Sequence, residues 1–302
     1  MISSYLKKLF LVGVLVMIFF GPTKIFARDE MAIKISPIIF RCTLEKGQKK
    51  TDSISVSNPN NFSIQVMSEV EDFIMENEEG VPKFLPRSAS TGGLSSWISV
   101  SLEEFALAAN ETKDVTFTIS VPKTGEPGGH YAAIFFKTRP PQDRSGTSLG
   151  ISSRVGSLIL LSVPGEISSG GKIVEFSGPK FVSRGPVNFL ARFQNTGTVH
   201  YQLGGQISIY NWLGGEVGKI DLPEHIVLPD SIRRFETKWE KKYLFGQYTA
   251  KLTMKDGEGK TQTEELKFFA FPWQEGLVVL GIIFLILAIS IIFKKKFKIV
   301  RK

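Results

Sequence analysis

The sequence predicts an all-β protein of two tandem β-sandwiches, preceded by a signal peptide and followed by one transmembrane helix. Three observations carry this prediction. Short apolar segments alternate with period two, turn-forming residues separate them, and no segment between residues 28 and 272 keeps an amphipathic period of 3.6 over three turns. Many short strands divided by such turns are typical of a β-sandwich.

Residues 1–27 are predicted to be a secretory signal peptide. Lys7 and Lys8 precede an uninterrupted apolar stretch from Leu9 to Phe20. As a helix this stretch would reach about 18 Å, well short of a hydrocarbon core of about 30 Å. A basic start followed by a short apolar stretch is the pattern of an export signal, so these residues are excluded from the fold.

The first sandwich is predicted for residues 28–165, and its strand signals are of two kinds. Some segments alternate between apolar and polar residues, as expected of strands with one buried face, and others are continuously apolar. The alternating segments are Asp52–Ser57, Phe62–Val70 and Asp114–Val121, the continuous ones are Tyr131–Lys137 and Leu158–Val163, and Val81–Leu85 is predicted to add a small extra strand.

The second sandwich is predicted for residues 166–272, because the order of features in the first unit repeats there. Each unit has a strand that ends in an asparagine turn, at Asn58 and at Asn195. Each also has a late strand opened by Gly-x-Tyr, at Gly129 to Tyr131 and at Gly246 to Tyr248. In immunoglobulin-like sandwiches a tyrosine near the start of the penultimate strand packs across a corner and bonds the backbone. We therefore predict two immunoglobulin-like units with structural roles for Asn58, Gly129, Tyr131, Asn195 and Tyr248.

Residues 273–293 are predicted to form a single transmembrane helix. Gly276 to Phe293 is free of charge and long enough to span a bilayer, and Trp273 precedes it at the expected interface. Six basic residues lie in the tail 294–302, which the positive-inside rule places in the cytoplasm. The chain is thus expected in the cell membrane, with its N-terminal part extracellular. Attraction to anionic lipid is a sufficient role for the tail.

The charge distribution excludes a nucleic-acid partner. The chain has 37 Lys and Arg against 29 Asp and Glu, a net charge of +8. Nine of the basic residues lie in residues 1–27 and 294–302, which hold no acid, so the part between them is close to neutral. A nucleic-acid binder needs basic residues concentrated on its folded surface.

Cysteine content and motifs limit the chemistry. Cys42 is the single cysteine, so no intramolecular disulfide forms, which favours a bacterium with one membrane and a cell wall. His130, His200 and His225 are isolated and lack the spacing of a zinc site. No nucleophile elbow or phosphate-binding loop is present. We expect no enzyme activity, no cofactor and no metal.

Two irregular segments are candidates for recognition, since binding residues concentrate on loops held by a rigid scaffold. Met75–Ser96 is rich in Gly, Ser and acids, and its acids are expected to form a solvated edge. Arg139–Arg154 lies between the two most hydrophobic strands of the first unit. Its arginines, Arg139, Arg144 and Arg154, are predicted to bind peptide or glycan carboxylates. The alternative is a mobile hairpin without a partner.

Three groups of residues are shared with a known family: Ile35-Ser36-Pro37, Gly47 with the Val56-Ser57-Asn58-Pro59 turn, and above all Pro127-Gly128-Gly129-His130-Tyr131-Ala132-Ala133-Ile134. On these residues the chain resembles the WxL-interacting proteins of Gram-positive bacteria. The resemblance covers residues 31–165 well and is mostly architectural beyond them. The resemblance implies a peptidoglycan-binding first domain and a second domain that contacts host components or surface proteins, working alongside secreted WxL proteins. The second unit lacks motifs that align with that family.

Two functions are compatible with these observations. In the first, the protein is a non-enzymatic, membrane-anchored surface protein whose ectodomain binds cell-wall material, such as peptidoglycan, or other surface proteins of the WxL type. In the second, the ectodomain is a chaperone-like or secretion-associated module that pairs an exposed sheet edge with a strand of a client.

Overall fold

The computed structural model describes residues 32–86, 92–139 and 152–297, with side chains up to Phe293. The regular structure of these residues consists of β-strands, one short 3-10 helix at Leu94–Trp97 and one long C-terminal helix. The predicted signal peptide, Arg144 and the last residues of the tail lie outside the described residues.

The first sandwich consists of two sheets whose strands all end by Val163. Its strands are β1 (Lys34–Ser36), β2 (Ile39–Thr43), β3 (Lys49–Ser57), β4 (Ile64–Met75), β5 (Pro82–Leu85), β6 (Ile98–Val100), β7 (Glu104–Leu107), β8 (Thr112–Ser120), β9 (Gly128–Arg139) and β10 (Arg154–Val163). Sheet A has the order β1-β3-β8-β6. Sheet B has the order β2-β10-β9-β4-β5, and β7 also pairs with β4. The predicted extra strand is confirmed as β5, which pairs with the end of β4.

The core of this sandwich follows from the alternation in its strands. In β3, Ile54 and Val56 are fully buried while their polar neighbours face outward, and in β8 the buried residues are Val115, Phe117 and Ile119. Every second side chain of a strand points to the same face, so these residues meet the inner face of sheet B. The apolar contacts between the two inner faces are the main stabilising term of the unit.

The second sandwich uses strands that begin at Gly171. They are β11 (Gly171–Ser177), β12 (Phe181–Val182), β13 (Val187–Asn195), β14 (Tyr201–Asn211), β15 (Glu216–Val227), β16 (Ile232–Trp239), β17 (Gly246–Lys255) and β18 (Thr261–Ala270). Sheet C has the order β11-β13-β16, and sheet D has the order β12-β18-β17-β14-β15. Phe193 and Phe268 are among the largest buried side chains between them.

The two asparagine turns have the same architecture in both units. Asn58 is fully buried and donates from Nδ2 to the backbone oxygens of Phe62 and Ala108, at 2.8 and 2.7 Å. Asn195 is also fully buried and donates from Nδ2 to the backbone oxygens of Val199 and Val227, at 2.9 and 3.1 Å. In each turn the side-chain oxygen accepts a backbone N–H two residues further on. These side chains tie neighbouring loops to a strand end.

The C-terminal helix, α1, runs from Trp273 to Phe297. Its apolar part, Trp273–Phe293, has a mean hydropathy of 3.1, and none of its residues is buried in the rest of the protein. By length and composition this helix is able to cross a membrane.

Candidate functional site

The outer edge of β10 is only partly covered. β10 pairs with β9 along its whole length, but on its other side the parallel strand β2 pairs only with Leu158–Ser162. Leu158 donates its N–H outward to the carbonyl of Ile38 at 2.9 Å. Because alternate residues of a strand direct their polar groups to the same side, Arg154 and Gly156 direct theirs outward as well. Within the described residues, no strand forms main-chain pairing with that side of Arg154–Ser157, although β1 lies close to it and the Ser157 hydroxyl donates to the carbonyl of Pro37 at 2.8 Å.

An apolar hollow lies beside this open edge. Its volume is about 650 Å³, and it is lined mainly by Ile35, Ile38, Ile39, Phe135, Val155 and Leu158. The aromatic ring of Phe135 lies over Gly156, where an added Cβ would come within 2.6 Å of the ring. Phe84 packs edge-on against Phe135 at 4.7 Å between ring centroids. Ile38 is 64% exposed at the rim, so a large apolar side chain here faces solvent.

Of the three predicted binding arginines, Arg154 lies beside this region and Arg139 lies on the β4 side of β9, and both are engaged in ion pairs. The Arg154 guanidinium lies 3.5 Å from the centroid of the Phe135 ring and 2.7 Å from a Glu71 carboxylate oxygen. Arg139 pairs with Glu104 at 3.0 Å. These contacts occupy donors that an external carboxylate would use. Carboxylate recognition by these arginines stays a prediction, and Arg144 lies outside the described residues.

The outer face of sheet B continues from the hollow into a contact with the second sandwich. Phe73 and Leu160 on this face pack against Leu228, which lies between β15 and β16, and all three are at least 97% buried. The backbone N–H of Gly129 donates to the carbonyl of Thr198 at 2.8 Å. We call this contact the junction. It leaves the end of the outer face near Arg154 uncovered by the second sandwich.

Tyr131 belongs to the junction, which corrects the role predicted for it. Its hydroxyl bonds the Nδ1 atom of His200 at 3.3 Å instead of a backbone group at a corner of its own sandwich. The side chain lies on the outer face of sheet B, beside Phe73, where the second sandwich supplies the partner. Gly129 leaves room for the Tyr131 hydroxyl. Tyr248, by contrast, accepts the backbone N–H of Phe245 at 3.2 Å, as expected of a corner tyrosine.

Glu78, one of the acidic residues predicted to lie on a solvated edge, also contributes to the junction. The carboxylate of Glu78 accepts two hydrogen bonds from the Arg192 guanidinium, with Nε to Oε2 at 2.7 Å. The Glu78 carbonyl accepts the backbone N–H of Arg234 at 2.9 Å. Bonding to Arg192 lowers the pKa of Glu78, so the carboxylate stays ionised at neutral pH. The turn after β4 is therefore held by sheet C.

His200 is expected to make the junction sensitive to acid. Burial, with a smaller contribution from Arg41, lowers its pKa from 6.5 to about 4. The unfolded chain therefore binds a proton more readily than the folded one, and stability is complete above pH 6.5 and lost as pH falls toward 4. Urea unfolding at pH 7 and pH 4.5 should show a smaller loss of stability in His200→Gln than in the wild type. Equal losses in the two proteins would contradict this role.

The described residues contain no group of three or more His, Cys, Asp or Glu side chains that could hold a metal ion. The one cysteine among them, Cys42, is a free thiol on β2, and burial raises its pKa. What the arrangement offers chemically is an unpaired strand edge beside an apolar hollow.

Comparisons with known proteins concern architecture. No protein-family model matches the chain, and no curated protein matches it. Among solved structures, the class 5 fimbriae chaperone CfaA is 14% identical over 78% of this chain and 99% of its own, with a TM-score of 0.41. The E. coli chaperone DraB is 13% identical over 80% and 96%, with a TM-score of 0.39. A structure of the Salmonella enterica SafA pilin with the SafB chaperone is 15% identical over 80% and 98%, with a TM-score of 0.38.

With every one of these TM-scores below 0.5, the similarities assign neither a fold family nor a role to the chain. Because no family model matches, the resemblance to the WxL-interacting proteins stays a prediction.

The open edge of β10 was missed by reasoning from the sequence. Leu158–Leu161 is continuously apolar, which indicates a strand covered on both faces and carries no information about its edge. The length of the parallel pairing with β2 has no comparable signal, because it depends on where the chain crosses from sheet A to sheet B at Pro37-Ile38.

Proposed function

We propose that this protein is a non-enzymatic, single-pass membrane protein that binds a partner protein by adding a strand of that partner to the open edge of β10. The two sandwiches, residues 28–165 and 166–272, would stand outside the cell. Helix α1 would anchor them, and the basic tail 294–302 would remain in the cytoplasm by the positive-inside rule.

The observation that carries this proposal is the unpaired edge of Arg154 and Gly156 beside the apolar hollow. In strand addition, main-chain hydrogen bonds supply affinity, and pockets for alternate side chains supply specificity. A strand laid along this edge would direct every second side chain toward the outer face of sheet B, where Ile39, Phe84 and Leu158 line the hollow. The site therefore suits an extended segment with an apolar residue at one position.

The character of the hollow favours a protein strand over a cell-wall glycan. Its lining is mostly aliphatic and aromatic, whereas a glycan needs several polar groups for its hydroxyls. The arginine beside the hollow, Arg154, is already paired with Glu71. A surface protein of the WxL type is a suitable partner class under the resemblance carried by Pro127–Ile134, and peptidoglycan is the competing ligand.

Photo-crosslinking in the producing cells tests the proposal. A photoreactive amino acid replaces Ile38 at the rim of the hollow, or, as a matched control, Val174 on β11, which is 43% exposed. We expect a crosslink to an extended protein segment at position 38 and none to that segment at position 174.

Two substitutions at position 154 distinguish the contribution of the outward backbone N–H from that of the arginine side chain. Arg154→Ala and Arg154→Pro both remove the guanidinium, but only proline removes the outward N–H, and proline is tolerated at the first residue of a strand. We expect the crosslink to persist in Arg154→Ala and to fall at least about tenfold in Arg154→Pro, the ratio for about 1.4 kcal/mol. Equal crosslinking in both variants would contradict strand addition. Sedimentation of the protein with purified peptidoglycan sacculi, without a protein crosslink, would favour the cell-wall function.

A further inference from the structure

The end of the second sandwich next to helix α1 carries a concentration of exposed aromatic rings. Outside the helix interior, the described residues include seven aromatic side chains that are more than one-third exposed, and all seven lie at this end. They are Phe181, Trp212, Tyr243, Phe245, Phe269, Phe271 and Trp273. Leu213, at 71% exposed, lies beside Trp212. We call this set the aromatic end.

The topology of the sandwich places these residues together. β18 and β12 end here, β17 and β15 begin here, and β14 ends here, so the loops 183–186, 211–215 and 240–245 surround the start of α1. Phe245 and Phe271 lie 5.9 Å apart between ring centroids. The Trp212 indole lies 3.4 Å from the position of an added Cβ on Gly246.

The helix start is tied to the loops around it. Arg184 pairs with Glu275 in the first turn of α1, and Gly185 donates its N–H to the carbonyl of Lys242 at 3.2 Å. Trp273, 46% exposed, is the first residue of the helix. The rings of the aromatic end therefore stand at the level where the apolar helix begins.

The composition of the aromatic end fits the interfacial region of a bilayer. Trp212, Tyr243 and Trp273 are of the ring types that concentrate at that level in membrane proteins, because each is apolar with one polar group. The four phenylalanines add apolar surface of the kind that interfacial helices bury at the boundary of headgroups and acyl chains. Lys241 and Lys242 lie in the same loop as Tyr243 and are available to anionic headgroups. A soluble surface rarely exposes so many large apolar side chains in one place.

We propose that the aromatic end is a lipid-binding surface that inserts into the headgroup region of the membrane crossed by α1. The second sandwich then contacts the bilayer directly, and Trp212 and Leu213 in the β14–β15 turn insert into it. This inference rests on the proposed membrane anchoring by α1. The occupant is the bilayer itself, because the exposed rings are continuous with the membrane-spanning helix.

Spin labels on the full-length protein in phospholipid vesicles containing phosphatidylglycerol test this surface. In a Cys42→Ser background, nitroxides are attached at Leu213→Cys, at Ile38→Cys and at Leu285→Cys, which are 71%, 64% and 59% exposed in the protein alone. Relaxation by oxygen, which partitions into lipid, is compared with relaxation by a water-soluble nickel chelate. The label at 213 should show a higher oxygen-to-nickel ratio than the label at 38, and the label at 285 should show the highest ratio.

The three labels distinguish two kinds of failure. Equal ratios at 213 and 38, with a high ratio at 285, would show that α1 spans the bilayer while the aromatic end stays in water, which overturns this inference alone. A low ratio at 285 would overturn the membrane anchoring and this inference with it. In Lys241→Glu/Lys242→Glu, the ratio at 213 should fall in anionic vesicles, and an unchanged ratio would contradict the role given to these lysines.

Discussion

Replacing Asn195 with alanine is expected to lower the free energy of unfolding of the second sandwich by about 3 kcal/mol, since each buried polar group left unpaired costs about 1–3 kcal/mol. The change removes both Nδ2 bonds, to the carbonyls of Val199 and Val227, and the bond that Oδ1 accepts from the Gly197 N–H at 2.8 Å. Val227 is 1% exposed, so water does not readily replace the lost donor at its carbonyl.

Urea unfolding in detergent micelles measures this loss. Asn77→Ala is the matched control, because the Asn77 side chain is exposed and makes one bond, from the Val81 N–H at 3.1 Å. The control should lose less than about 1 kcal/mol. A similar loss in both variants would show that burial of the asparagine turn is not the source of its stability. Asn58→Ala should behave like Asn195→Ala, because its side chain is bonded in the same way.

Phe193→Ala is expected to lower the free energy of unfolding by about 4 kcal/mol, within the range for large aromatic truncations in a core. The Phe193 ring is fully buried between sheets C and D, in a cluster with Phe189, Leu203 and Leu252. Strands on both sides fix the surrounding backbone, so the cavity is expected to collapse only in part.

Phe181→Ala provides the comparison for the same chemical change at an exposed site. Phe181 is 52% exposed on the short strand β12, and its truncation should cost less than about 1 kcal/mol. The measurement is the urea midpoint followed by tryptophan fluorescence, which Trp239 in the second core reports. Equal shifts of the midpoint in the two variants would contradict the assignment of Phe193 to the core.

The strands of the two sandwiches were largely predictable because one face of each is buried. Asp114–Val121 alternates strictly, and it is found as β8, Thr112–Ser120, with Val115, Phe117 and Ile119 buried. Where one face of a strand packs against a core and the other faces water, apolar and polar residues alternate with period two in the sequence. The asparagine turns were predicted from the repeated order of features in the two units, and the structure places Asn58 directly after β3 and Asn195 at the end of β13.

The junction and the open edge were not predictable in the same way. Tyr131–Lys137 is apolar on both faces, which indicates that both faces of this strand are covered. The pattern does not identify the part of the protein that covers the outer face. Glu78 lies in an acidic turn that is compatible with solvent, and its partner Arg192 is 114 residues away. Such pairings depend on how the two sandwiches contact each other, and the local periodicity of the sequence does not reflect that contact.

The crossing of the chain at Pro37-Ile38 limits the length of any strand that can bind β10. Beyond Ser157 the side of β10 is already taken by β2, so a bound segment has room for about two main-chain bonding positions, at Arg154 and Gly156, before it meets Ile38. Further pairing has to extend in the opposite direction, past the start of β10. A partner is therefore selected both by where its extended segment ends and by which of its side chains enters the hollow. A shift of two residues in its register would bring the segment into steric conflict with Ile38.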